Sequence, residues 1–235
     1  MKIDPEARPA ARRIQKRGKV QKAHHIAGGK ARGIVQLESI TEVDCHNLCS
    51  LDPRVHEIYP QPVTFDLNTG QPFATKEELL ARFQGTGYKP WVYTPDFKVV
   101  LIDGTIFFLE AKSEYTLSKQ PEFLEYPSVF ESFGQQLLLI TEDEISPELK
   151  KNLGLLRPYI GRSMPEGLLP RLEASASNRF TYREAISELG FTQGELFTAI
   201  LTGHLFLDLY STALKKDTEL LVFKGCTKHL ELLPL

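Results

Sequence analysis

Two strand-like runs, residues 97–102 and 105–111, flank Asp103-Gly104, so this segment is predicted to fold as a β-hairpin. Its ends carry the charge: Pro95-Asp96 precedes the first run and Glu110-Ala111-Lys112 closes the second. A hairpin has few registers, and the register decides which of these side chains meet. With Asp103-Gly104 as a two-residue turn, Asp96 pairs with Ala111 and stands on the opposite face from Glu110 and Lys112. With a three-residue loop, Ile102-Asp103-Gly104, and Gly104 left-handed, Asp96 pairs with Glu110 and Lys112 follows on the same face. The expectation is the three-residue loop, or another one-residue offset such as a bulge at Pro95.

Around the hairpin the pattern predicts α/β architecture. Residues 1–33 combine Pro, Gly and charge with little periodicity and read as a flexible or loosely docked basic arm. A helix is expected over about 36–51, ended by Asp52-Pro53. Strands are expected at 63–67, 91–93 and 137–141, a short helix or turn at 76–82, and a helical crossover at 121–134. Together they give a mixed sheet flanked by helices. Past 160 the character changes. Helices at 181–189 and 193–202, each ended by glycine, precede strands at 205–209 and 220–223, the order of a small winged-helix-like domain. The expected division is an arm (1–33), a catalytic domain (34–160) and a winged-helix-like domain (161–235).

Composition limits the classes. The 235 residues are 42% hydrophobic and 25% charged, ordinary for a soluble globular chain with a real core. No apolar run approaches membrane-spanning length, and the N-terminus lacks the apolar stretch of a secretory signal. Three cysteines give no disulfide framework, so a reducing, cytoplasmic setting is expected. The charge is uneven: residues 1–32 carry a net +8 and residues 33–235 a net −10. The arm residues Arg12, Arg13, Lys16, Arg17, Lys19, Lys22, Lys30 and Arg32 can track a phosphate backbone by counterion release. A solubilising tail, or a patch for an acidic partner protein, is the alternative.

Two acids and one amine at adjoining strand ends suit metal-assisted phosphodiester hydrolysis. That reaction needs hydroxide near neutral pH and an offset for charge building on phosphorus, and a divalent ion serves both needs. Mg²⁺ takes hard oxygen ligands, usually one or two carboxylates. Asp96 and Glu110 can supply them, and Lys112 can orient the attacking water or stabilise negative charge. Glu42 is placed mid-helix, with Cys45 and Cys49 at i+3 and i+7. Those cysteines are expected in the core, which turns Glu42 inward, and a buried carboxylate needs a partner such as a shared metal. A hairpin or helix surface facing water is the plainer alternative for all four residues. Cys45-His46-x-x-Cys49 invites a zinc reading, but zinc wants four ligands and no second Cys/His pair lies nearby.

Six motifs in order resemble the TnsA-type transposon endonuclease family: Glu38-Ser39-Ile40-Thr41-Glu42-Val43-Asp44, Leu51-Asp52-Pro53-Arg54-Val55, Tyr59-Pro60-Gln61-Pro62, Tyr93-Thr94-Pro95-Asp96-Phe97, Glu110-Ala111-Lys112 and Ile140-Thr141-Glu142-Asp143-Glu144-Ile145. The resemblance covers about 34–145. It implies a restriction-endonuclease-like core of the PD-(D/E)xK type and Mg²⁺-dependent cutting of double-stranded DNA at the 5′ ends of a transposon, with Mn²⁺ as a possible substitute. It also implies a TnsB-like transposase and a TnsC-like AAA+ regulator as partners, and a bacterial, nucleoid-associated setting. By position, Glu42, Asp96, Glu110 and Lys112 are the implied catalytic set. Glu42, Asp96, Glu110 and the Ala111 carbonyl are the implied metal ligands, and Gln61 is implied to position a strand. Glutamate at 110 is the form of the wider superfamily, whereas the best-known TnsA carries glutamine there.

The helix at 193–202 occupies the recognition-helix position yet carries Glu195 and no Lys or Arg. A major-groove reader brings basic or amide groups. Protein docking is therefore favoured for the C-terminal domain, with Arg179, Arg183, Lys215 and Lys216 leaving room for phosphate contacts. Two other readings stay open: a stand-alone restriction or repair nuclease, and a nuclease-like fold that only tethers DNA or a partner.

Overall fold

A computed structural model describes residues 10–11, 24–174 and 177–235. The fold is mixed α/β, and the chain divides into two units, Met1–His46 with Arg54–Glu144 and Asn47–Pro53 with Ile145–Leu235. No helix among the described residues is long and apolar enough to cross a membrane.

The first unit opens with β1 (His24–Ala27) and β2 (Ile34–Leu37), an antiparallel hairpin in the register His24↔Leu37. This corrects two expectations, an arm extending to residue 33 and a helix beginning at 36. Val35 and Leu37 are buried while Ile34 is exposed, so the segment alternates with period two. Ile26 and Ala31 are buried as well, and the Lys30 carbonyl accepts the Ile58 N–H at 3.0 Å. Helix α1 (Ile40–Leu51) starts later because Ser39-x-x-Glu42 caps it: Ser39 Oγ accepts the Glu42 N–H at 3.1 Å.

Strand β3 (Val55–Pro60) has no counterpart in the predicted elements. A register shift between Val55 and Glu57 breaks its alternation and hides it from a period-two search. Next come β4 (Thr64–Asp66), β5 (Gln71–Phe73), α2 (Lys76–Phe83) and β6 (Val92–Tyr93), the three strands forming a small sheet in the order β5-β4-β6. Asp66, fully buried, organises the approach to β6. Its carboxylate accepts the Tyr88 hydroxyl at 2.7 Å and the Trp91 N–H at 2.9 Å.

The central sheet adds β7 (Phe97–Leu101), β8 (Ile106–Ala111) and β9 (Leu137–Ile140) in the order β3-β7-β8-β9. The first two pairings are antiparallel and β8–β9 is parallel. A parallel partner needs a crossover. Here α3 (Glu114–Lys119), a 3₁₀ turn at Pro121–Glu125 and α4 (Tyr126–Ser132) supply it. One apolar cluster, including Phe65, Tyr93, Phe108, Tyr126 and Phe130, joins the small sheet, β8 and α4.

The second unit holds α5 (Pro147–Leu156), α6 (Leu168–Glu173), β10 (Arg179–Thr181), α7 (Tyr182–Ser187), α8 (Gln193–Leu201), β11 (Leu205–Phe206) and β12 (Glu219–Val222). Its strands form a sheet in the order β10-β12-β11. Thr181 with Glu184 and Thr192 with Glu195 form capping boxes on α7 and α8. Buried Asn152 holds the 209–214 segment, donating to the Leu209 and Thr212 carbonyls and accepting the Leu214 N–H.

Candidate metal-dependent active site

The hairpin register is the one that gathers the acids. Phe97 pairs with Leu109 and Val100 with Ile106. The loop is Ile102-Asp103-Gly104, with Gly104 at φ 88° and its N–H donated to the Leu101 carbonyl at 3.0 Å. Continued one residue past β7, this register sets Asp96 opposite Glu110.

Backbone and carboxylate then lock the pair reciprocally. The Asp96 N–H donates to Glu110 Oε2 at 3.2 Å, and the Ala111 N–H donates to Asp96 Oδ2 at 3.0 Å. Each acid is only 3% exposed. The Tyr93 hydroxyl donates to Glu110 Oε2 at 2.6 Å. Its ring is held edge-on by Tyr126 and Phe130, at centroid distances of 4.7 and 5.7 Å. The Lys112 ammonium lies against Glu110 Oε1, 3.7 Å from Asp96 Oδ2 and 3.4 Å from the Ala111 carbonyl. It also stands 4.8 Å from the centre of the Phe123 ring.

Glu42 is buried, as its position beside Cys45 and Cys49 requires, and both cysteines are fully buried too. It lies in the first turn of α1 rather than mid-helix, and it serves that turn. Oε2 accepts the Glu38 N–H at 2.9 Å and Oε1 accepts the Ser39 hydroxyl at 3.0 Å. The Asp96 charge is felt at Glu42, but among the described residues no three Asp, Glu, His or Cys side chains converge as a metal-holding group. The pair Asp96–Glu110, with the Ala111 carbonyl, is nevertheless a fit for a hard cation, because these oxygens already surround one, the ammonium of Lys112.

Burial, then the Asp96 charge, raises the Glu110 pKa to about 7, against the lowering pull of Lys112 and Tyr93. The same two causes raise Glu42 to about 7, against its bonds to Glu38 and Ser39. Burial opposes the charge on Lys112, but Asp96 and Glu110 outweigh it and its pKa rises. Three carboxyl groups and one ammonium thus share the site, and the raised values mean that it resists holding all three carboxylates charged at once, a cost that a bound divalent cation would relieve.

Gln61 follows β3 directly, beside the pair. Its N–H donates to the Asp96 carbonyl at 2.7 Å, tying the end of β3 to the residue before β7. Its backbone sits at φ 41°, and its buried amide finds no hydrogen-bond partner among the described residues. Tyr93 lies inside a quoted motif, yet its role escaped the sequence. The available signal was that a buried tyrosine hydroxyl seeks an acceptor.

Of the predicted nucleic-acid residues, Arg12, Arg13, Lys16, Arg17, Lys19 and Lys22 lie outside the described residues. Lys30 falls in the β1–β2 connection, and Arg32, with a 71% exposed side chain, stands 3.5 Å from Glu57. In the second unit Arg179 pairs with Glu219 and Arg183 with Asp217, while Lys215 and Lys216 are exposed. Glu195 of α8 is committed to its cap and to Arg171 at 2.6 Å. No protein-family model matches this chain, and no curated protein matches it.

Proposed function

We propose that this chain is a divalent-metal-dependent DNA endonuclease with a restriction-endonuclease-like first unit, acting as the TnsA-like subunit of a heteromeric cut-and-paste transposase. One observation carries the catalytic reading: Asp96, Glu110 and the Ala111 carbonyl already gather around a positive charge. Bound in that place, Mg²⁺ or Mn²⁺ supplies Lewis-acid neutralisation at phosphorus and lowers the pKa of a water. Everything else falls to the chain. Backbone N–H groups hold the two carboxylates, so little reorganisation accompanies cation capture. The Tyr93, Tyr126 and Phe130 rings pack edge-on and form an apolar wall behind Glu110. Lys112, with the most exposed side chain of the set at 18%, is the donor placed to orient a water or a phosphoryl oxygen.

The element order α7, α8, β11, β12 supports a winged-helix-like second unit, and the acidic, committed face of α8 supports protein docking there. The TnsB-like and TnsC-like partners and the 5′ cut rest on the sequence resemblance. A non-catalytic tethering module is the second reading, favoured by the use of Glu42 as a helix cap.

Strand-specific cleavage of a transposon-end duplex, with and without the partner transposase, tests the proposal. The wild-type chain cuts in Mg²⁺ or Mn²⁺. Asp96→Asn, which keeps an acceptor for the Ala111 N–H, falls to background while its melting temperature holds. Cutting retained by that variant rules out the assignment. Cutting of naked DNA without partners selects a stand-alone nuclease, and DNA binding without cutting under all conditions selects the tethering module.

A further inference from the structure

The protein treats the two oxygens of Glu110 differently. Oε2 receives two neutral donors, the Tyr93 hydroxyl at 2.6 Å and the Asp96 N–H at 3.2 Å. Oε1 faces the Lys112 ammonium. The terminal torsion of a glutamate is broad, so an unrestrained carboxylate offers either oxygen. Tyr93 removes that freedom, because its own ring is buried and wedged between Tyr126 and Phe130.

We propose that Tyr93 is a positioning residue that pins Oε2 and reserves Oε1 for a cation, and that the Lys112 ammonium occupies this seat until a divalent ion displaces it. The inference rests on the nuclease reading above and deepens it. Three observations support the exchange. The ammonium lies among the same three oxygens that a hard cation would take. The lysine side chain is 18% exposed, which leaves it a way out. The Phe123 ring, 4.8 Å from Nζ, offers the departing charge a cation–π surface.

Two substitutions then act in opposite directions on the same quantity. Tyr93→Phe keeps the ring and removes the hydroxyl, so Glu110 loses its orientation and Mn²⁺ affinity falls by about tenfold, the range typical of lost ligand-orienting bonds. Lys112→Met removes the competing charge, so Mn²⁺ binds more tightly than in the wild type. Lys112→Gln, with a polar head, is the second variant should methionine compromise folding.

The experiment is a Mn²⁺ titration of the full-length, DNA-free chain, followed by the electron paramagnetic resonance signal of free Mn²⁺, with thermal melting alongside. Opposite shifts in affinity at similar melting temperatures support the proposal, since packing alone does not produce them. Tyr93→Phe binding as well as wild type, or lysine variants binding no better, overturns it. A wild-type chain that cuts DNA but binds no Mn²⁺ in its absence overturns this inference alone. A wild-type chain that neither binds Mn²⁺ nor cuts sinks the nuclease reading with it.

Discussion

Glu110 sits among groups that pull its charge in opposite directions, and this makes the metal-free protein pH-sensitive. Burial and Asp96 favour the protonated form, Lys112 and Tyr93 the ionised form, and the first pair prevails with a pKa of about 7. A carboxyl whose folded pKa exceeds its unfolded value takes up a proton on folding. Its stabilising contribution is complete below the ordinary value of 4.5 and is lost as pH rises through about 7. Glu42 follows the same sign over the same interval. Metal-free protein is therefore expected to melt higher near about pH 5.5 than near about pH 8, by calorimetry at fixed ionic strength. Glu110→Gln, neutral throughout, narrows that difference. Asp96, Glu110 and Lys112 were legible in the sequence because a hairpin turns spacing into proximity. Tyr93 was not, because its bond to Glu110 depends on two sheets meeting through an aromatic cluster that no local spacing encodes. The left-handed backbone of Gln61 was not legible, since a glutamine at positive φ leaves no signature in the residue itself.

Elements were readable where their period was clean. The β7–β8 register follows from one requirement, a left-handed residue at the end of a three-residue loop, and Gly104 meets it at φ 88°. A Cβ there meets nothing within 4 Å, so Gly104→Ala tests backbone strain without a clash. The expected cost is about 1–2 kcal/mol by urea denaturation, with the register retained. No loss of stability would show that the loop relaxes into another turn. The start of α1 was misplaced because Ile34 and Leu37 mimic helical spacing while alternating in a strand, although Ser39-x-x-Glu42 marked the true beginning. Strand β3 was hidden by its bulge, and β1, β5 and β10 are too short to show a period. The mixed α/β class survived these errors because it rests on the hairpin, the crossover and the parallel strand that follows.

Across the molecule, the basic charge and the buried acidic cluster are separated along the chain. Residues 1–32 carry a net +8 and the remainder a net −10, so under the proposed function DNA affinity is expected to depend on the basic segment. Replacing Arg12, Arg13, Lys16, Arg17, Lys19 and Lys22 by glutamine, which leaves Ala11 and its bond to the Gln61 carbonyl in place, should weaken duplex binding for all sequences alike and flatten its salt dependence, measured by fluorescence anisotropy at several salt concentrations. Mn²⁺ binding should be unchanged, and an unaltered salt slope would dissociate the segment from DNA. The change of character expected from residue 160 compares with a second unit that takes in Ile145–Leu235, because α5 packs with the C-terminal elements through Asn152. One property of the central sheet reaches back to the birth of the structure. Asp96 and Glu110 are 14 residues apart and are joined by a three-residue loop, so the contact costs little closure entropy and is available early in folding. Strand β9 must wait for the whole crossover. Lys112 belongs to the same hairpin as the acids, so the nascent chain brings their neutralising partner with them, and the repulsive pair need never be enclosed alone.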